Sequence, residues 1–160
     1  MLEAIVAVYA DWGIGAGGTQ PVVVRADRKR FREVTGGSAV IVGRKTLADF
    51  PGGKPLKNRK NIVLSRSSGP IEGAVVARSA EEALAAAAES GRVFIIGGES
   101  VYKALFPHLE RVYVTKLRCH PHSDAFFPDL DADPNWRIAE AGEEQSEDGL
   151  GYRFLTYVRR

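Results

Sequence analysis

The sequence predicts an α/β fold built on a mostly parallel sheet that is finished by antiparallel strands. Apolar runs of strand length alternate with helical patterns as far as residue 106. Three further strand-like runs, Arg111 to Arg118, Trp136 to Gly142 and Tyr152 to Val158, then follow with no helix between them. The length of 160 residues fits one domain, 1–160. A chain of that size buries roughly 70% of its unfolded surface and needs no staples. Apolar residues at 44% and charged residues at 26% are ordinary for a globular chain.

Taken in order, Leu2 to Tyr9 alternates and is rich in Val, Ile and Ala, which predicts a buried strand near the sheet centre. Ala10 to Val24 is glycine-rich and predicts a loop. Arg25 to Thr35 predicts a helix with Phe31 and Val34 toward the core, stopped by Gly36-Gly37. A strand over Ser38 to Val42 and a short helix over Arg44 to Asp49 lead into the turn-forming Pro51-Gly52-Gly53-Lys54-Pro55. Strands follow at Asn61 to Ser65 and Val75 to Ala77. Ser79-Ala80-Glu81-Glu82 is a capping box that opens an alanine-rich helix to about Glu89, with Gly91 beyond its end. Val93 to Ile96 predicts a strand and Ser100 to Phe106 a helix. No internal repeat or linker interrupts the chain.

Composition narrows the function. Cys119 is the only cysteine, so no internal disulfide forms, and a cytoplasmic protein is expected. The apolar stretch Ala4 to Ala10 is too short for a membrane span, and Glu3 without a basic start argues against a signal peptide. Net charge is +2, yet Arg25, Arg28, Lys29, Arg30 and Arg32 fall within eight positions. Most of them are expected on a solvated helix face, with a field that draws in an anionic small ligand. No aromatic interleaving or helix-turn-helix pattern supports nucleic acid as a partner. Cys119, His120 and His122 match no zinc spacing, so no metal is assigned.

Two stretches share one design. In Val40-Ile41-Val42-Gly43-Arg44-Lys45-Thr46 and in Val93-Phe94-Ile95-Ile96-Gly97-Gly98-Glu99-Ser100, an apolar run ends in glycine and is followed by residues able to hold an anion. Each predicts a strand turning tightly into a helix whose first amides are unpaired. Many strand-to-helix turns use glycine only for backbone freedom; the recurrence is what points to a ligand with several phosphates. Gly13-Ile14-Gly15-Ala16-Gly17-Gly18 matches a Rossmann fingerprint, but Thr19-Gln20-Pro21-Val22-Val23-Val24 follows where a helix is required. A lid loop fits that segment better. Asp27 shares a helix face with Phe31 and Val34, so it is a cap or a solvated residue unless buried. Burial would raise its pKa and suit it to a protonated heterocycle or a proton relay.

In sequence order, Trp12-Gly13-Ile14-Gly15, Asp27 with Phe31, Gly43-Arg44-Lys45-Thr46, Asn61-Ile62-Val63-Leu64-Ser65, Ile95-Ile96-Gly97-Gly98, Val114-Thr115, Phe126-Phe127-Pro128-Asp129 and Tyr152-Arg153-Phe154 resemble bacterial dihydrofolate reductase over nearly the whole chain. The resemblance implies an eight-stranded, mostly parallel sheet with an antiparallel C-terminal strand and about four helices. It implies hydride transfer from NADPH to 7,8-dihydrofolate, giving tetrahydrofolate for one-carbon and thymidylate metabolism, by a monomer that is an antifolate target. Asp27 would be the acid, assisted by Thr115, with Tyr102 near the nicotinamide. Ile5, Ala7, Arg28, Phe31, Phe50, Leu56, Arg59 and Ile96 would meet the substrate, Arg59 gripping the carboxylate of its tail. Ala7, Ile14, Gly43, Arg44, Lys45, Thr46, Leu64, Ser65, Arg66, Gly97, Gly98, Glu99, Ser100, Val101 and Tyr102 would meet the cofactor. The family also implies a cis peptide at Gly97-Gly98.

The chain departs from the family where a Pro-Trp pair is usual: it has Pro21-Val22, with Gln20 and Val24 also unusual. Arg28 stands where a hydrophobic residue commonly touches substrate, which would make the rim more cationic. Two alternatives are a related reductase of the riboflavin pathway, against which Asp27 and Arg59 argue, and an NADPH-binding paralogue without catalysis, against which Asp27, Thr115 and Tyr102 argue.

Overall fold

The structure, a computed structural model, describes residues 1–160. Its strands are β1 (Leu2–Val8), β2 (Gly13–Gly15), β3 (Ala39–Gly43), β4 (Lys60–Leu64), β5 (Ala74–Ala77), β6 (Val93–Gly97), β7 (Leu109–Leu117), β8 (Ala125–Phe126), β9 (Trp136–Ala141), β10 (Gln145–Glu147) and β11 (Leu150–Arg159). Its helices are α1 (Arg25–Thr35), α2 (Arg44–Ala48), α3 (Ala80–Ala87) and α4 (Glu99–Leu105). Short 3-10 turns occupy Pro51–Gly53 and Phe106–His108.

Eight strands lie in the order β10-β11-β7-β1-β6-β3-β4-β5, and β9 joins beside β11. From β7 through β5 every pairing is parallel, whereas β11 runs antiparallel to β7, β9 and β10. The expected mostly parallel sheet with an antiparallel finish is therefore the observed one. β1 sits at its centre between β6 and β7.

Why the central strands are apolar without a break follows from their two buried faces. Ala39, Ile41, Val93 and Ile95 point into the larger core with Ala83 and Ala87 of α3 and Val101, Tyr102 and Leu105 of α4. Their neighbours Val40, Val42, Phe94 and Ile96 point the other way, with Leu47 of α2 and the half-buried Phe31 and Val34 of α1. Fully burying each such side chain contributes about 1.5–3 kcal/mol, which holds the strand ends, and the turns that leave them, in fixed places.

α1 spans Arg25–Thr35 as predicted and stops at Gly36, whose amide donates to the Arg32 carbonyl at 3.0 Å. Its start is capped from afar. Val24 offers no side-chain acceptor, and the Glu147 carboxylate accepts from the amides of Arg25 at 2.7 Å and Ala26 at 3.2 Å. At α3, Ser79 Oγ accepts from the Glu82 amide as a capping box requires, but Glu82 reaches back to the amide of Arg78, one residue earlier than the box predicts. The helix ends at Ala87, ahead of the expected Glu89, because turn bonds at Ala88 and Ser90 close it off. Within the predicted loop Ala10 to Val24, Gly13–Gly15 forms β2 and pairs with β8.

Candidate active site

The C-terminal ends of β1, β3 and β6 open onto a cleft of about 620 Å³. Ile5, Val6 and Ala7 of β1 form its floor, Asp27 and Phe31 of α1 one wall, and the two glycine junctions, with Leu64 at the end of β4, the other. Ile14, Gly15, Gly18, Thr19 and Gln20 of the glycine-rich segment cover it, and Asp124 and Ala125 complete the rim.

Both junctions change from strand to helix within one or two residues: β3 ends at Gly43 where α2 begins at Arg44, and β6 ends at Gly97 ahead of Glu99. Neither N-cap glycine can supply a side-chain acceptor, and the residues that carry the first helical amides, Arg44 to Thr46 and Glu99 to Ser100, line the cleft. An added side chain would crowd either junction. A Cβ on Gly98 would stand 3.0 Å from Thr46 Oγ1, and one on Gly43 would stand 3.1 Å from Val101 Cγ2. The Gly97-Gly98 peptide is cis, as the resemblance implied. Val101 is buried behind this contact and does not line the cleft. Ser65 and Arg66 lie just past Leu64, outside the cleft proper; Arg66 is exposed, and the Ser65 carbonyl accepts from Arg78 Nη1 at 3.1 Å.

Asp27 is the one carboxylate on the helical wall. Its Oδ1 accepts from the buried Thr115 hydroxyl at 2.5 Å. Burial pushes the Asp27 carboxyl above the usual carboxylate range; the Thr115 hydrogen bond and the positive charges of Arg30 and Arg28 oppose that rise. Tyr102, buried on α4, donates its hydroxyl to the Ile5 carbonyl at 2.8 Å. Desolvation and the nearby Asp27 charge push its phenol up, so it is a neutral, fixed group.

Beyond Phe31 the wall continues outside the cleft. Phe31, Phe50 and Leu56 pack against the second core cluster. The Arg59 guanidinium sits 5.6 Å from the Phe31 ring centre, and its Nε and Nη1 donate to Thr35 Oγ1 and to the Lys57 carbonyl, both at 2.9 Å. Those bonds fix the plane of the fork beside an apolar strip. Arg28 is exposed on α1 and is not among the cleft-lining residues.

The covering segment is tied down at several points. Asp124 Oδ2 accepts from the Gly17 amide and the Asp124 amide donates to the Gly15 carbonyl, both at 3.0 Å. Gln20 Nε2 donates to the Ala7 carbonyl on the cleft floor at 2.8 Å. Val22 packs with Tyr9, Val24, Leu117 and Tyr152. Asp124 and Ala125 are not marked by any local pattern, because their partners Gly17 and Gly15 lie more than a hundred residues away. Nowhere do three His, Cys, Asp or Glu side chains converge as a metal set, and no helix is long and apolar enough to cross a membrane.

A family model described as dihydrofolate reductase matches residues 1–159. The dihydrofolate reductase of Neisseria meningitidis is 38% identical, over 99% of this chain and 98% of its own. That of Bacillus subtilis is 33% identical over 100% of this chain and 95% of its own. Among solved structures, dihydrofolate reductase from Enterococcus faecalis complexed with NADP(H) and RAB-propyl superimposes with a TM-score of 0.90 at 32% identity, covering 100% of this chain and 96% of that one.

Proposed function

The chain belongs to the dihydrofolate reductase family, and from that premise we propose that it reduces 7,8-dihydrofolate to 5,6,7,8-tetrahydrofolate with NADPH. As a cytoplasmic monomer it would feed one-carbon and thymidylate metabolism. The observation that carries the reading is the Thr115-held Asp27 in the wall of a cleft whose opposite wall is two glycine junctions.

The residues fit a cofactor with phosphates. Side chains at Gly43 and Gly98 would fill the space where the backbones approach, and the residues that carry the uncapped first amides line the same cleft. Gly43, Arg44, Lys45 and Thr46, with Leu64, Ser65, Arg66 and Val101 behind them, would hold the adenosine and phosphate end. Gly97, Gly98, Glu99, Ser100, Tyr102, Ala7 and Ile14 would hold the rest. Bound NADPH supplies the hydride.

The chain's own task is then to place and protonate a pterin. Ile5, Ala7, Phe31 and Ile96 provide apolar faces for a planar ring, excluding water from it. Asp27 offers two oxygens to the ring's amino group and nitrogen, and burial holds its carboxyl above the usual carboxylate range. Reduction of one C=N bond needs a hydride and a proton; Asp27 favours the protonated ring at the moment of transfer. Thr115 keeps the carboxyl oriented. Arg59, with Phe50 and Leu56, would receive the carboxylated tail as a forked donor beside an apolar strip.

The test is to follow NADPH absorbance with purified protein in the presence and absence of dihydrofolate. Dihydrofolate-dependent oxidation is expected. NADPH binding without turnover, or turnover only with a riboflavin-pathway pyrimidine, would replace this reading with one of the two alternatives.

A further inference from the structure

Of the five cations between Arg25 and Arg32, Arg30 turns inward. Its guanidinium carbon lies 4.4 Å from the centre of the Phe154 ring and 5.5 Å from that of Tyr113, and its Nη1 donates to the Val114 carbonyl at 3.3 Å. No carboxylate lies within ion-pair distance of it. A guanidinium partly withdrawn from water without a contacting anion is costly unless ring faces, hydrogen bonds or a nearby field offset the loss.

All three offsets are present and lead to one place. Val114 precedes Thr115, whose hydroxyl holds Asp27, and Phe154 is the register partner of Thr115 across the β11-β7 pairing. Arg30 follows Asp27 by three residues on α1, so the two side chains share a helix face. The Tyr113 ring is itself fixed, because its hydroxyl accepts from Arg92 Nη2 at 3.0 Å and donates to the buried Glu3 carboxylate at 3.3 Å.

We propose that Arg30 is a positioning residue for Asp27: it ties α1 to β7 beside Thr115 and keeps a permanent positive charge on the protein side of the carboxyl, biasing it toward the ionised form. The proposal deepens the functional reading above, in which Asp27 handles the proton. The other groups that face this pair are few. Arg28, on the same helix, adds a second positive field from an exposed position; Thr115 of β7 donates a hydrogen bond; Tyr102 of α4 is neutral. Tyr113 of β7 and Glu140 of β9 act on Arg30, as does Asp27, and each favours its charged form against burial. The direction agrees with the geometry, since Arg30 opposes the burial that raises the Asp27 carboxyl.

The experiment is a carbon-13 NMR titration of the Asp27 carboxyl in the ligand-free full chain, comparing wild type with Arg30→Met, Arg30→Gln and Arg30→Lys. Arg30→Met keeps an apolar stem on the rings and removes the charge; the carboxyl midpoint is expected to rise by roughly half a unit to one unit. Arg30→Gln, which retains a donor for the Val114 carbonyl, is expected to give the same rise and serves if Arg30→Met does not fold. Arg30→Lys restores the charge and is expected to bring the midpoint back toward wild type. A midpoint unchanged in a folded neutral variant overturns the proposal, as does an equal rise in Arg30→Lys, which would assign the effect to packing instead of charge. The titration uses no substrate, so a protein that fails to reduce dihydrofolate sinks the functional reading without touching this result. In an active protein, the pH profile of hydride transfer is expected to move with the carboxyl midpoint.

Discussion

Thr115 donates its hydroxyl to Asp27 at 2.5 Å, joining the central-sheet strand β7 to the helix α1 across the wall of the cleft. The donor is neutral, so the bond stabilises the carboxylate without pairing it to a cation in contact. Burial outweighs that help, and the carboxyl stays above its ordinary range.

One consequence is a cost in stability. An acid whose pKa is higher in the folded chain than in the unfolded one makes the folded state bind more protons between the two values, so stability falls as pH rises through that window and stays reduced above it. Asp27→Asn removes the term. The variant is expected to melt above wild type at pH 7–8, with the difference vanishing toward pH 4. Each unit of upward shift corresponds to about 1.4 kcal/mol, and 1 kcal/mol to about 2–4 °C in a chain of this size. Calorimetry across pH checks it.

The distant cap on α1 has its own signature. Glu147→Ala removes the acceptor for the Arg25 and Ala26 amides and is expected to cost about 1 kcal/mol, within the usual range for cap loss. Its ion pair with Arg25 at 4.0 Å involves a largely exposed guanidinium and adds little. Glu147→Gln, which keeps an acceptor oxygen, is expected to recover most of the loss in thermal denaturation.

Arg59 separates tail recognition from chemistry. Arg59→Ala is expected to raise KM for dihydrofolate about tenfold or more, from the loss of a charged hydrogen bond of about 1.5–3 kcal/mol, with kcat little changed. A pterin without the carboxylated tail should be turned over equally by both proteins.

The cations of the cofactor side predict a preference. Arg44 and Lys45 line the cleft and Arg66 is exposed just past Leu64; on the proposed reading they would meet the 2′-phosphate of NADPH, where one charged hydrogen bond favours NADPH over NADH by roughly tenfold or more. Arg44→Ala with Arg66→Ala is expected to narrow the ratio of kcat/KM for the two cofactors, mainly by weakening NADPH.

Much of this site was legible in the sequence. The apolar runs Val40–Val42 and Val93–Ile96 read as buried strands, and glycine at their ends as a tight exit into a helix; both junctions line the cleft. What stayed hidden is non-local. β2 is Gly13–Gly15, whose two glycines carry no side-chain alternation to read, and its partner β8 lies more than a hundred residues on. Glu147 caps a helix from a similar separation, and no capping residue precedes Arg25 to hint at it. Arg30 sat in a run of cations expected to be solvated; an arginine stem and its flat head pack on rings as readily as they reach water, and composition cannot distinguish the two.

The central claim is that Asp27 handles the proton while hydride is delivered to a bound dihydropterin. The most direct test is the single-turnover hydride-transfer rate of Asp27→Asn and wild type, with NADPH and dihydrofolate, from pH 5 to pH 8. We expect a deficit of about a hundredfold or more near pH 7–8, shrinking in acid as solvent protons replace the lost carboxyl. An equal deficit at every pH would contradict the proton-handling role, and no deficit at all would remove Asp27 from the chemistry.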